Sequence, residues 1–158
     1  MNNEHRKTGI LTEEQLEKLT PALTGKIAIV ECVEDIPCDP CVTACPTEAL
    51  VMDSLVGKPE LIPEKCEGCG SCIAECPGLA IFVVDFDYSR EEAVVMLPYE
   101  FVPLPEKGEK VDLLDREGEK CGEGTILRVR PHKNKTTVLS VVVPRTLAMR
   151  VRNVRRIL

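Results

Sequence analysis

Cys66-Glu-Gly-Cys69-Gly-Ser-Cys72-Ile-Ala-Glu-Cys76-Pro77 is an unbroken C-x2-C-x2-C-x3-C-P run. Three cysteines two residues apart let one tight loop aim three thiolates at three irons of a [4Fe–4S] cube, while the fourth, held off by three residues and stopped by proline, points to a second cube. Zinc suits the run poorly, because a structural zinc site pairs two separate C-x2-C knuckles around one tetrahedral ion and has no use for a middle cysteine shared between them. A disulfide framework needs an oxidising compartment, and the opening Met1-Asn-Asn-Glu-His-Arg-Lys lacks the apolar stretch of an export signal. The run therefore reads first as an iron–sulfur site in a cytoplasmic electron carrier.

The motif has an internal copy at an offset of 31 residues. Cys38-Asp-Pro-Cys41-Val-Thr-Ala-Cys45-Pro46-Thr-Glu-Ala49-Leu50 lies over Cys69-Gly-Ser-Cys72-Ile-Ala-Glu-Cys76-Pro77-Gly-Leu-Ala80-Ile81, with every cysteine, both prolines and the following apolar pair in step. Two half-units imply two clusters. Residues 26 to 87 accordingly resemble a bacterial-type two-cluster ferredoxin domain, whose fold is a pseudo-twofold pair of β-α-β halves. That resemblance implies one cube on Cys66, Cys69 and Cys72 with Cys45 crossing from the first motif. It implies a second on Cys38 and Cys41 with Cys76 crossing the other way.

The first motif departs from the family pattern. Under the repeat the partner of Cys66 is Asp35, and the nearest upstream cysteine is Cys32, separated from Cys38 by the five residues Val-Glu-Asp-Ile-Pro. A five-residue loop can still return a thiolate to the same cube, so Cys32 is the expected fourth ligand. Asp35 as an oxygen ligand and a [3Fe–4S] core without a fourth ligand are the alternatives, carboxylate being a harder and poorer match for iron–sulfide than thiolate. The ninth cysteine, Cys121, has no C-x2-C partner and no nearby histidine, and reads as a plain strand or turn residue.

The remaining sequence suggests an α+β chain of three segments. Residues 1–25 are a helical extension, with Thr12 and Gln15 spaced for a capping box ahead of Leu16 and Leu19. Residues 26–88 form the two-cluster unit, with strands expected at Ile27–Val30, Leu50–Met52, Leu61–Ile62 and Ala80–Phe86. Residues 89–158 carry short β-rich runs at 94–97, 111–114, 125–130 and 137–143 between polar turns, the pattern of a small antiparallel barrel or sandwich. The stretch from Arg145 to Arg156 reads equally as a helix or a last strand. There is no Trp, and all five aromatic residues lie between Phe82 and Phe101, where packing at a segment junction or a docking face would use them.

Charge is unevenly divided. The net charge is −6, yet Ile126 to Leu158 holds nine Lys or Arg and no acid. Such a tail either docks an acidic partner protein or neutralises the chain's own acidic part, and nucleic acid is disfavoured because no stacking aromatics accompany it. With only His5 and His132, no histidine-based nucleophile, general base or Rieske site can be assembled, so no catalytic residue is assigned. No dinucleotide fingerprint follows a strand, and no membrane-spanning run is present. The segment Glu31 to Pro46, with Leu97-Pro-Tyr-Glu-Phe-Val-Pro-Leu-Pro105 and Val111-Asp-Leu-Leu-Asp115, resembles the iron–sulfur subunits of multi-subunit FAD-dependent amino-acid and imino-acid dehydrogenases of the proline and hydroxyproline type. This resemblance implies an electron-transfer subunit in a hetero-oligomer, with FAD confined to partner subunits. The competing expectation is a free-standing carrier or redox-sensing module.

Overall fold

The structure, a computed structural model, describes residues 4–34 and 36–157. Asp35, the alternative oxygen ligand, lies outside them. Two short helices lead: α1 (His5–Thr8) and α2 (Glu13–Leu19). The capping box is formed, with the Gln15 amide donating to Thr12 Oγ1 at 3.2 Å and the Thr12 amide donating to Gln15 Oε1 at 3.0 Å. Each bond satisfies a donor that the first helical turn leaves without a partner.

The cysteine-bearing segment runs β1 (Lys26–Val30), α3 (Pro40–Ala44), β2 (Leu50–Val51), β3 (Glu60–Leu61), α4 (Ser71–Glu75) and β4 (Ile81–Asp85). Its repeat is carried into three dimensions in register. α3 and α4 begin and end 31 residues apart. Val30 pairs with Ile81 and Leu61 with Leu50, both antiparallel, so the strand end of each half pairs with the position that the repeat exchanges with its counterpart: Val30 matches Leu61 and Leu50 matches Ile81 at the 31-residue offset. Even the strained positions repeat: Glu48 (φ 56°) and Leu79 (φ 54°) are non-glycine residues in the left-handed region, each three residues after the last cysteine of its motif. An L-residue there costs about 1–2 kcal/mol, and in both copies the turn aims the amide of the following residue back at a cysteine sulfur.

The strands continue as β5 (Glu92–Tyr99), β6 (Lys110–Leu114), β7 (Lys120–Pro131), β8 (Thr137–Pro144) and β9 (Asn153–Arg156). They extend the sheet that β1 and β4 start. The order is β1-β4-β5-β8-β7-β6-β9, every pairing antiparallel. The residue-88 boundary falls in the turn between two hydrogen-bonded neighbours, β4 and β5. Arg145–Leu147 makes one 3-10 turn before β9, so the tail contributes both a helical turn and a strand.

Two apolar cores sit on opposite faces of this sheet. Ile27, Ile29, Phe82 and Val84 face a large core with Val95, Leu97, Leu113, Leu139, Val141 and Val154. Their neighbours Ala28, Val30, Ile81 and Val83 face the other way, onto Ile73 and Ala74 of α4, Met96, Val138 and the cysteines. Because side chains alternate along a strand, β1 and β4 must be apolar throughout to serve both cores. Phe82, Phe86 and Tyr99 are buried in the large core, whereas Tyr88 and Phe101 are exposed.

Candidate iron–sulfur centres

The eight cysteines of the two motifs form two nests. Cys32, Cys38, Cys41 and Cys76 line one cavity of about 400 Å³, with Pro40, Pro77 and Leu79 among its walls. Cys45, Cys66, Cys69 and Cys72 line a second, tighter one of about 20 Å³, closed by Leu50, Leu61 and Val83. Each nest thus takes three cysteines from one motif and the last cysteine of the other, because α3 and α4 pack against each other and carry their C-terminal cysteines across the pseudo-twofold axis. Cys121 lies in β7, outside both nests and against the large core.

Electrostatics sorts the thiols the same way. Burial pushes the Cys41 thiol up to about 11, and Cys76, Cys32 and Cys38 add to the rise by like-charge repulsion. Burial likewise pushes Cys72 up to about 12, helped by Cys69, Cys66 and Cys45. Cys32 is also raised, by burial first and then by Cys76 and Cys38, against a hydrogen bond from the Glu34 amide. Four mutually repelling thiols in an apolar nest ionise together only when a cationic core offsets their charge. Among the described residues no three His, Cys, Asp or Glu side chains converge on a point where one metal ion could be held. Four cysteines lining one cavity form the donor set that a [4Fe–4S] core takes.

Both crossing cysteines accept a hydrogen bond from a backbone amide. Burial is the largest single influence on Cys45 and acts upward, yet hydrogen bonds from the Thr47 hydroxyl and the Ala49, Thr47 and Leu50 amides together outweigh it and hold the thiol below its ordinary value. The Ala49 amide donates to Cys45 Sγ at 3.2 Å, and the Ala80 amide donates to Cys76 Sγ at 3.4 Å, the same bond at the repeat offset. Ala28 in β1 donates to Cys66 Sγ at 3.4 Å. The Ala49 and Ala80 amides are delivered by the left-handed turns at Glu48 and Leu79, and the Ala28 amide by strand β1. Sequence spacing did not single out either residue, since neither is Gly or Asn.

The loop that presents Cys66 and Cys69 is shaped by glycine. Gly68 (φ +65°) passes so close to β1 that a Cβ would lie 2.5 Å from Lys26 Cγ and 3.0 Å from the Lys26 carbonyl oxygen. The first motif has Pro37 at the matching position, which accounts for its different approach loop.

The basic tail turns inward. Arg152, its side chain 4% exposed, sets Nε 3.0 Å from Glu31 Oε1 and its guanidinium 4.8 Å from the centre of the Phe82 ring. Arg155 pairs with Asp112 at 3.1 Å, Arg156 with Glu109 at 2.6 Å and Arg150 with Asp115 at 3.5 Å. Self-neutralisation, one of the two readings of this stretch, is what the geometry displays. Within the basic stretch, Arg145, Arg128, Arg130, Lys133 and Lys135 are exposed and make no ion pair among the described residues. The last two belong to the β7–β8 turn, where Asn134 Nδ2 donates to the Ala74 carbonyl at the end of α4 at 2.6 Å and His132 lies over the α3–α4 crossing.

Residues 31–80 match the 4Fe-4S dicluster domain family. The chain is 41% identical over 61 residues to the polyferredoxin-like subunit of aliphatic sulfonate oxidoreductase from Pyrococcus furiosus, covering 39% of this chain and 33% of that protein. It is 52% identical over 46 residues to a ferredoxin of Pyrobaculum islandicum, covering 29% and 42% respectively. It is 44% identical over 48 residues to protein NrfC of Escherichia coli, covering 29% and 22%. The chain therefore spans less than half the length of these relatives, and the family match falls on the cysteine-bearing segment. No solved structure matches it. The segment is an iron–sulfur, ferredoxin-type electron-transfer domain. No helix among the described residues is long and apolar enough to cross a membrane.

Proposed function

We propose that this chain is the electron-transfer subunit of a larger oxidoreductase, holding one [4Fe–4S] cluster on Cys32, Cys38, Cys41 and Cys76 and another on Cys66, Cys69, Cys72 and Cys45. The observation that carries the reading is the division of eight cysteines into two nests of four, lined separately and joined by crossing ligands. A cluster bound in each nest supplies one-electron chemistry. The chain's own residues hold it: apolar walls from Leu50, Leu61, Ile81 and Val83 limit water, and the amides of Ala28, Ala49 and Ala80 orient and stabilise thiolates.

The electron donor in this reading is an FAD-dependent amino-acid or imino-acid dehydrogenase subunit, as the sequence resemblance implies, and the name of the Pyrococcus relative supports membership of a multi-subunit oxidoreductase. The unpaired cations at the β7–β8 turn suit an acidic partner surface and stand beside the helices that carry the crossing cysteines. Anaerobic purification from the native source tests both levels. About eight iron and eight sulfide per chain, with the chain eluting alongside flavin absorbance, is the expected result. Four iron per chain sinks the two-cluster reading, and elution as a flavin-free single chain favours the free-standing carrier.

A further inference from the structure

Glu31, Arg116 and Arg152 come from the end of β1, the β6–β7 turn and the segment before β9, yet they meet in the wall of the cavity lined by Cys32, Cys38, Cys41 and Cys76. Both arginines bond the Glu31 carboxylate, and Glu31 is the residue before Cys32. Arg152 is fixed from every side: Nη1 donates to the Ala148 carbonyl at 3.2 Å and the Val151 carbonyl at 2.6 Å, Nη2 faces Met149 Sδ, and Phe82 lies against its plane. Such a set of partners exceeds what anchoring a tail requires. Two cations and one anion leave this ion-paired group with a net charge of +1, and Arg152 and Glu31 within it are nearly buried; the cavity's other carboxylate among the described residues, Glu34, is exposed to solvent. Among the described residues no Lys or Arg lines the other nest, and the one charged lining residue is Glu67.

We infer that Arg152 is a positioning and tuning residue for the cluster held by Cys32, Cys38, Cys41 and Cys76: its buried positive charge raises the reduction potential of that cluster alone. The inference rests on the two-cluster reading above. Reduction adds one electron, hence one unit of negative charge, to the contents of the nest. A fixed cation in a low-dielectric wall favours the more negative state, and it does so over a distance at which exposed charges would be screened. Glu31 offsets part of the effect, and Arg116 restores it. The buried part of the balance is therefore set by three residues that can be changed one at a time, while the charge of Glu34 is screened by solvent.

The test is a redox titration of the full, anaerobically loaded chain, followed by electron paramagnetic resonance, with Cys32→Ala identifying which signal belongs to the first nest. Arg152→Met should shift that signal to lower potential and leave the second nest's signal in place. Glu31→Gln should shift it the opposite way, and Arg152→Lys should stay close to the parent. A merely structural pin predicts no such opposition of sign. If Arg152→Met fails to load iron, Glu31→Gln still decides: an upward shift supports the inference, and an unmoved potential overturns it. Opposite-charge changes that move the potential in one direction, or not at all, in a chain carrying both clusters overturn the inference without touching the two-cluster reading. A parent chain with one cluster signal overturns that reading instead.

Discussion

Substituting Gly68 with alanine isolates the steric requirement of the Cys66–Cys69 loop. Gly68 sits at φ +65°, where an L-residue costs about 1–2 kcal/mol, and the added Cβ would meet the Lys26 carbonyl oxygen at 3.0 Å and Lys26 Cγ at 2.5 Å. The Lys26 side chain can rotate away, but its carbonyl belongs to β1, so the loop must move and carry Cys66 and Cys69 with it. Gly118 (φ +82°) has nothing within 4 Å of the same built atom and supplies the control, with equal conformational strain and no obstruction. A loss of 1–2 kcal/mol multiplies the open population of the loop by about 5–30. Gly68→Ala should therefore release iron from the second nest to a chelator about 5–30 times faster than the parent, while Gly118→Ala should lose global stability with cluster release unchanged. The assay is chelator-driven bleaching of the iron–sulfur absorbance, with iron content before and after. Parent-like release from Gly68→Ala would refute the argument that the close pass to β1 fixes the ligand loop.

Cys32→Ala should convert or destabilise only the first cluster, read as loss of one set of resonance signals, whereas Cys121→Ser should leave iron content unchanged because Cys121 is outside both nests. Replacing Arg128, Arg130, Lys133 and Lys135 together with Glu should weaken association with the flavoprotein subunit at low salt with both clusters retained, measured by co-elution. Single replacements should scarcely matter, since an exposed pair is worth about 0.2–1 kcal/mol. Acid should loosen the β9 edge. Hydrogen bonding to Arg156 is the main cause that holds Glu109 below its ordinary 4.5, and hydrogen bonding to Lys120 and then Arg155 holds Asp112 below 3.8. A carboxylate depressed on folding stabilises fully above its unfolded value and loses that contribution as pH falls through the folded one. Hydrogen exchange at Asn153–Arg156 should therefore accelerate, relative to β8, only below about pH 4.5.

The two cysteine motifs were legible in the sequence because ligand spacing is a local property, and the 31-residue offset carried the strand and helix positions of the two halves with it; the crossing of Cys45 and Cys76 came only from the resemblance to a two-cluster ferredoxin. What joins the halves to the rest was harder to read. Asp87-Tyr-Ser-Arg90 has linker composition, yet it is a turn between two paired strands. The available signal was the unbroken apolar run of Ile27–Val30 and Ile81–Val84: strands without alternation are covered on both faces, and the two-cluster unit by itself covers one. Arg152 was hidden for a different reason. Charge along a run says nothing of its partner, and Glu31 lies 121 residues away. Val151 and Val154, buried on either side, were the hint that this arginine points inward.

Iron removal should separate the two faces of the sheet. The core on the cysteine side holds Ala28, Val30, Ile73, Ile81, Val83 and Met96 together with six cysteines of the nests, so much of its cohesion depends on metal–thiolate bonds. Once these are cut, α3 and α4 are five-residue helices too short to persist alone, and the repulsion among buried thiols works against them. The opposite core holds no cluster ligand at full burial and joins β5, β8, β7, β6 and β9 through Val95, Leu97, Leu139, Val141, Leu113 and Val154. It retains its apolar contacts whether or not iron is bound. Hydrogen exchange on the chelated chain should therefore show protection lost across Cys38–Ala44 and Ser71–Glu75 and retained across β5 and β8. β1 and β4 should be intermediate, because each has one face in each core. Simultaneous loss of protection over the whole chain would mean that the clusters hold both cores and that the sheet is no independent platform.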